Sequence, residues 1–420
     1  MNGPRDNQRD ADGPKRRRAL TNIGGAIDTE GDRADADRLA RALAVPPSTD
    51  ADDDPARSHV HGFHTYPARM HPDTAARLVS AFVPPFGRVL DPFCGSGTVL
   101  VEAFVAGRNA IGTDLNPLAV RLAACKTRLR TATELEQFVK RAAECAEYAD
   151  TRRKAKAGAS RRFPPEDVEL FEPHTLLELD SVRTKIETLQ NDPVRADLEL
   201  VLSAVLVKLS RKPGDTSSSV GTRHTRAGFA AKLFMQKAQD LAARLAALNR
   251  LLPTPRPTAT VLLDDATELK NLPPGAVNAI ITSPPYAATY DYLAHHALRL
   301  RWLGLDAGPL ARGEIGSRAA YSRIKPTDAR AAWGKELERF FRAAARVLPS
   351  GGPLVLMMAD SAVGDVAIRA DEAVAEVGRI CGLIPSARAS QPRPHFHGPT
   401  AAAFRERPRF EHALLLRKST

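Results

Sequence analysis

Residues 89–98 read Val-Leu-Asp-Pro-Phe-Cys-Gly-Ser-Gly-Thr, an apolar run that ends in a proline turn and opens onto two glycines. The apolar part has the length of a buried strand, and the glycines let backbone approach a ligand with no Cβ between. Residues 97–106 then read as a helix. Further on, residues 110–113 form a second apolar run, and residues 117–129 a second helical pattern with proline in its first turn. Strand, helix, strand, helix in this order calls for a parallel sheet, which places the chain in the α/β class with a doubly wound architecture.

The glycine loop departs from two well-known phosphate cradles. Position 100 is Leu100, so the third glycine of a dinucleotide fingerprint is absent, and no lysine follows Gly97 as a triphosphate loop would require. What remains suits a smaller ligand. Asp114 ends the second strand about twenty residues after the loop, where a carboxylate can accept both hydroxyl hydrogens of a ribose.

A second constrained turn follows another apolar run: residues 279–286 read Ala-Ile-Ile-Thr-Ser-Pro-Pro-Tyr. Proline pairs also stand at 46, 84, 164 and 273, but this pair directly follows a strand pattern, Val277 to Ile281, and precedes an aromatic ring. Prolines have fixed φ and no N–H, so the turn offers acceptors only. An aromatic amine is a poor nucleophile because its lone pair is delocalised. Two fixed acceptors, the Ser283 hydroxyl and the Pro284 carbonyl, would take its two hydrogens and free that pair. Tyr286 would stack on the base, a contact worth about 1–3 kcal/mol.

Outward from these motifs the chain divides into four. Residues 1–57, rich in charge, glycine and proline, read as a disordered arm. Residues 58–128 and 258–420 carry the sheet-like patterns. Between them, residues 129–257 lose strand signal and form a basic helical insertion broken by prolines. Strand patterns return at 260–263, 277–281 and 353–358, the last after a helix at 328–348, and a final strand at 412–417 follows an irregular arm at 388–410. The formal charge is +11, which fits a polyanionic partner. Its surplus lies at 152–162, 208–226 and 388–409. Cys94, Cys125, Cys145 and Cys381 have no Cys-x-x-Cys spacing, which argues against a zinc site or a disulfide framework and fits a reducing cytoplasm. With no apolar leader at the start and no membrane-length apolar run, a cytoplasmic, non-exported protein is expected.

Both turns resemble the motifs of the class I S-adenosylmethionine-dependent DNA amino-methyltransferases. Residues 91–98 are similar to that family's cofactor motif, Asp114 to its ribose acid and Ser283, Pro284, Pro285 and Tyr286 to its catalytic motif; Tyr66 to Pro72 resembles its methionine-closing segment, and Asp265 the residue that bonds the adenine amino group. The resemblance implies a Rossmann-like fold with a mostly parallel seven-stranded sheet and an inserted helical subdomain. It also implies S-adenosylmethionine as cofactor, held by Tyr66, Asp91, Phe93, Gly95, Gly97, Thr98, Asp114 and Asp265, and direct methyl transfer. Serine at the head of the catalytic motif points to cytosine N4 in DNA, with adenine N6 and a base in structured RNA as alternatives. A non-catalytic, cofactor-sensing nucleic-acid-binding protein is the reading of another class. The resemblance leaves room for a restriction nuclease or defence-system partner. The insertion falls earlier than a target-recognition domain usually does, so its role does not carry over. Tyr290, Tyr292 and Trp302 read either as lining of the base pocket or as an aromatic helix packed on the sheet. His59, His61, His64 and His71 are taken as part of the cofactor-closing segment, with no metal expected. His395 and His397 read as phosphate contacts or as a solvated loop.

Overall fold

The computed structural model describes residues 25–45, 58–214, 220–394 and 398–420. Strand β1 (Asp28–Gly31) and helix α1 (Arg33–Leu43) come first, then α2 (Pro72–Phe82), β2 (Arg88–Asp91), α3 (Thr98–Val105), β3 (Asn109–Asp114) and α4 (Pro117–Thr127). Five helices follow without a strand: α5 (Ala132–Lys154), α6 (Pro165–Leu170), α7 (Pro173–Glu187), α8 (Arg195–Leu209) and α9 (Phe229–Leu251). The sheet resumes with β4 (Ala259–Leu263) and β5 (Ala279–Thr282), then helices α10 (Tyr292–Leu303), α11 (Gly308–Gly313), α12 (Arg318–Tyr321) and α13 (Pro326–Val347). Last come β6 (Pro353–Ala359), a small hairpin of β7 (Ser361–Val363) and β8 (Val366–Ile368), α14 (Ala370–Ile380), β9 (Leu383–Pro392) and β10 (Phe410–Lys418).

One sheet of eight strands runs in the order β1-β9-β10-β6-β5-β2-β3-β4. Strands β4, β3, β2, β5 and β6 are mutually parallel, and β10 inserts antiparallel between β6 and β9. This is the class I methyltransferase architecture, with β1 as an additional edge strand. Its two faces follow from strand periodicity. Leu90, Ile280, Leu354 and Leu356 pack under α13 and α14, whereas Val89, Ala279, Ile281 and Val355 pack under α1, α2 and α3. Chain order reverses between β2 and β5, so a crevice opens there at the carboxyl ends of the strands, where doubly wound sheets hold their ligands.

Two expectations are corrected. The arm at 1–57 is not disordered throughout: β1 pairs with β9, from Asp28 opposite Ser390 to Gly31 opposite Ala387, and makes the eighth strand. Helix α1 buries Ala36, Leu39, Ala42 and Leu43 against Ala75, Leu78 and Val79. A stripe of small and branched apolar residues at helical spacing outweighs the charged composition around it, and Asp32 caps the helix by accepting from the Asp35 N–H (2.9 Å). Residues 1–24 and 46–57 lie outside the described residues. Second, the arm expected at 388–410 begins inside β9, which takes in residues 388–392 and is paired on both sides. Its arginines and those beyond it are largely satisfied within the fold: Arg388 pairs with Glu30 (2.6 Å) and Asp371, Arg393 with Glu411 (2.8 Å), and Arg407 with Glu372 (2.7 Å), while Arg409 donates to the Asp360 carbonyl (2.8 Å). Among the described residues no helix is long and apolar enough to cross a membrane.

Replacing Leu39 by alanine removes a fully buried side chain from the core under α1. The expected loss is about 2–5 kcal/mol of unfolding free energy, read from the urea midpoint. An unchanged midpoint would mean that this segment does not pack on the sheet.

Candidate functional site

The glycine loop is built by backbone. Cys94 N–H donates to the Thr113 carbonyl (3.0 Å) and Gly97 N–H to the Cys94 carbonyl (2.8 Å), and Lys126, buried beneath, donates to the Ser96 carbonyl (2.8 Å). Gly95 and Gly97 have φ of +49° and +83°. A Cβ on Gly95 would stand 3.2 Å from the Tyr66 ring, and one on Gly97 3.0 Å from Ala123, so both positions require glycine. Gly97 serves the turn and the start of α3 rather than the cleft wall.

Two carboxylates tie this loop to its neighbours. Asp114, at the end of β3, accepts from the N–H groups of Gly95 (2.9 Å) and Asn116 (2.8 Å). Burial pushes its carboxyl up to about 6, against the pull of those bonds. Asp91, at the end of β2, accepts from the Thr282 hydroxyl (2.6 Å) and the Phe93 N–H (3.2 Å), and burial pushes it up to about 7. Thr282 is the last residue of β5, so this bond joins the glycine loop to the Ser-Pro-Pro-Tyr turn across 191 residues of sequence.

A cleft of about 660 Å³ lies at this edge. Tyr66, Phe93, Gly95, Asp114, Asp265, Ser283 and Pro285 all line it, so both motifs face one space. Asp91, Thr98, Gly95 and Ser283 line a smaller adjoining pocket. The Ser96 hydroxyl there is buried with no hydrogen-bond partner. Pro284 is buried beside the cleft. Tyr286 differs from expectation: half-buried, it directs its hydroxyl toward Ser283 Oγ and the Met357 carbonyl, each 3.5 Å away, and its ring packs into the core. Burial raises its phenol above the ordinary range.

Other contributors are less visible in sequence. Asn116 caps α4 through the Leu118 N–H (3.0 Å), donates to the Tyr66 hydroxyl (3.3 Å) and lines the cleft. The Tyr66 ring stacks on His296 with centroids 4.7 Å apart. Tyr292 lines the cleft next to Tyr290 (5.6 Å), while Trp302 is buried against Phe171 and Phe163, so the aromatic run divides between site and core. Leu310, Gly313, Glu314 and Ile315 close the far side, held because Glu314 accepts from the Tyr292 N–H and Asp291 from the Ser317 hydroxyl (3.0 Å) and the Ala319 N–H (2.8 Å).

The histidines act as brackets for the Tyr66 segment. His64 Nε2 meets Ser203 Oγ (2.9 Å), His71 accepts from the Asp73 N–H (3.2 Å), and His61 Nε2 meets Glu102 (2.7 Å). His59, His61 and Glu102 come within 4.8 Å of one another, and burial, then Lys126, lowers both imidazoles. Burial raises the Cys94 thiol, which leaves it protonated. His395 and His397 lie outside the described residues.

One family match spans this loop. Residues 42–124 match a family described as DNA methylase. Curated relatives include the type II methyltransferase M.MvaI of Kocuria varians, 41% identical over 16% of this chain and 15% of the relative. M.BsoBI of Geobacillus stearothermophilus is 26% identical over 55% of this chain and 51% of the relative. A tRNA (guanine(10)-N2)-dimethyltransferase of Methanothermobacter thermautotrophicus is 40% identical over 14% of this chain and 18% of the relative. The chain thus spans about half or less of these relatives. The family resemblance implies S-adenosylmethionine as cofactor, and the residues present fit it: a loop with no Cβ at Gly95, an unpartnered Ser96 hydroxyl, and acids at the end of β3 and after β4.

If Asp114 holds ribose hydroxyls, its ionised form is the binding form. Cofactor affinity measured by calorimetry should be level above pH 7 and fall by up to about tenfold per unit as pH drops through about 6, where Asp114 takes up its proton. Asp114→Asn should bind weakly with no such dependence. A wild-type profile flat from pH 5 to 8 would remove Asp114 from the contact.

Proposed function

We propose that the chain transfers the methyl group of S-adenosylmethionine to an exocyclic amino group of a base in DNA, cytosine N4 in preference to adenine N6. The observation that carries this reading is the Thr282–Asp91 bond, which fixes the catalytic turn to the cofactor strand so that Ser283, Pro285, Phe93 and Gly95 share one cleft. When bound, the cofactor supplies a methyl on a sulfonium, electrophilic enough for direct attack. Asp114 and Asp265 would hold its nucleoside end, and Tyr66, Phe93 and the Gly95 backbone its middle.

The chain's own part is to make a nitrogen attack. Ser283 Oγ and the Pro284 carbonyl take the two amino hydrogens, which draws the nitrogen away from planarity and localises its lone pair. Neither proline carries an N–H that would compete as a donor. Tyr286, with its hydroxyl near Ser283 Oγ, would hold that hydroxyl in orientation, and Tyr292, which lines the cleft beside Tyr290, would give a flipped base a planar neighbour. Extruding a base from a duplex costs a few kcal/mol. A buried cysteine with a raised pKa gives no thiolate for attack on a ring carbon, which agrees with direct transfer to nitrogen. Serine, rather than a carboxylate or amide, at position 283 supports cytosine. The short likeness to a tRNA methyltransferase favours a second reading, methylation of an amino group in structured RNA.

Ser283→Ala and Tyr286→Ala should each lower methyl transfer by at least about 100-fold, by analogy with loss of one oriented group in an active site, with cofactor affinity within about twofold of wild type. Tritium transfer from labelled cofactor to DNA and RNA pools, followed by nucleoside chromatography, reads both rate and product. Unchanged yield in either variant would displace the site; label confined to RNA, or to adenine, would move the substrate.

A further inference from the structure

The helical insertion carries a ridge of cations above the catalytic edge of the sheet. Helix α4 starts at that edge, capped by Asn116 just after β3, and runs down to Thr127. There Arg128 and Arg130 meet Asp197, in the first turn of α8, at 2.9 and 2.7 Å. Helix α8 therefore climbs back up. Ser203 passes His64 at 2.9 Å, level with the segment that carries Tyr66, and the six residues to Leu209 take the helix about 9 Å further at 1.5 Å per residue. Helix α9 runs the opposite way: Lys237 reaches the Phe63 carbonyl (3.5 Å), Arg244 the His59 carbonyl (2.6 Å) and Asn249 the Arg130 carbonyl (2.7 Å). Its first residue, Phe229, thus stands about 12 Å above the level of Lys237.

The end of α8 and the start of α9 consequently rise together beyond the cleft. Lys208 sits on the last turn of α8, and Arg211, Lys212, Arg223 and Arg226 on the connection that joins the two helices. The ridge is braced from within, by the Arg223 guanidinium on the Lys208 carbonyl, Gly221 N–H on the Arg211 carbonyl (2.8 Å) and Thr225 N–H on Glu172 (2.8 Å). Acids nearby are already engaged. Asp240 holds Lys237 and Arg244 (2.7 Å each), Glu172 holds His224 (2.8 Å), and Glu178 caps the start of α9 through the Ala230 N–H (3.0 Å). Among the described residues none of the five cations forms an ion pair with a carboxylate, in contrast to the arginines of the C-terminal stretch.

We propose that this ridge, residues 208–212 and 223–226, is the surface that grips the phosphate backbone of duplex DNA and sets its height over the cleft. This rests on the reading of the chain as a DNA methylase. Cations that are exposed or half-exposed and without acid partners, spread along a braced ridge, match a row of phosphates better than one small anion, and such contacts fix register without reading sequence. The insertion then works as a backbone clamp, leaving base recognition to the residues at the cleft mouth.

The test is the salt dependence of duplex binding, read by fluorescence anisotropy with the full chain and saturating cofactor. Lys208, Lys212 and Arg226 donate no side-chain hydrogen bond to the fold among the described residues, so the triple variant K208Q/K212Q/R226Q should fold normally. Its slope of log affinity against log salt should be shallower by about 0.9 for each phosphate that is no longer neutralised, nearly 3 in all, while cofactor affinity stays at the wild-type value. The variant K208R/K212R/R226K, which keeps the charge, should keep the slope. A triple variant whose slope and affinity equal those of wild type would overturn the clamp and leave the ridge to an acidic protein partner, even with methyl transfer to DNA intact. Wild type that neither binds nor methylates DNA would instead defeat the functional reading itself.

Discussion

The hydrogen bond from Thr282 to Asp91 is the link on which the site depends. Neither residue is a plausible reactant: both are buried, and each belongs to the last position of a parallel strand. In a sheet whose order reverses between β2 and β5, those two strands are neighbours, and everything that follows each of them is irregular backbone. Irregular backbone has no lattice of its own to fix its height. A charged or polar tie at 2.6 Å between the two strand ends supplies that height, and it places the glycine loop and the proline turn on one wall. Their separation of nearly two hundred residues in sequence becomes a contact because parallel pairing brings the strands together first.

How much of this was legible beforehand depends on whether the signal was local. Asp91, Gly95, Asp114, Ser283 and Pro285 were readable because strand-to-turn transitions are written in consecutive residues: an apolar run, then residues that can only turn. Asn116 carried a local signal too, as a polar residue directly before a helix-starting proline, and its reach to Tyr66 is the part that sequence could not supply. Leu310, Gly313, Glu314 and Ile315 had no signature at all, since they reach the cleft through Asp291 and Tyr292 rather than through a pattern of their own. Strand β9 was hidden for a different reason. Its Ser386, Arg388, Ser390 and Gln391 look like a loop, but strands on both flanks satisfy its backbone, and small residues Ala387 and Ala389 are enough to fill its buried face. Composition likewise concealed α1, whose apolar stripe is four residues set in a charged background.

The basic surplus illustrates why formal charge is a weak guide until partners are known. Three stretches of sequence were rich in arginine and lysine. In the C-terminal one, Arg388, Arg393, Arg407 and Arg409 bind carboxylates or a carbonyl and so contribute to the fold's own cohesion. In the last turn of α5 and just after it, Arg153 and Arg161 are paired with Asp150 and Asp180. At the α8–α9 ridge Lys208, Arg211, Lys212, Arg223 and Arg226 have no acid partner among the described residues. Pairing thus separates arginines that hold the fold together from cations left available to a partner.

The same reasoning explains how the site tolerates two buried carboxylates. Both Asp91 and Asp114 are held above the ordinary carboxylate range because burial disfavours their charge, so each costs the fold stability progressively as pH rises from about 4, fully so only above about 7 and 6 respectively. A core built for stability alone would avoid this. Asp91 has its donor in Thr282, but Asp114 receives only backbone N–H groups and retains acceptor capacity toward the cleft. At neutral pH it is therefore an ionised, partly unsatisfied acceptor in a confined space, a condition that a ligand bearing two adjacent hydroxyls relieves. The stability cost of that carboxylate and the proposed affinity for a ribose are thus two aspects of one buried charge.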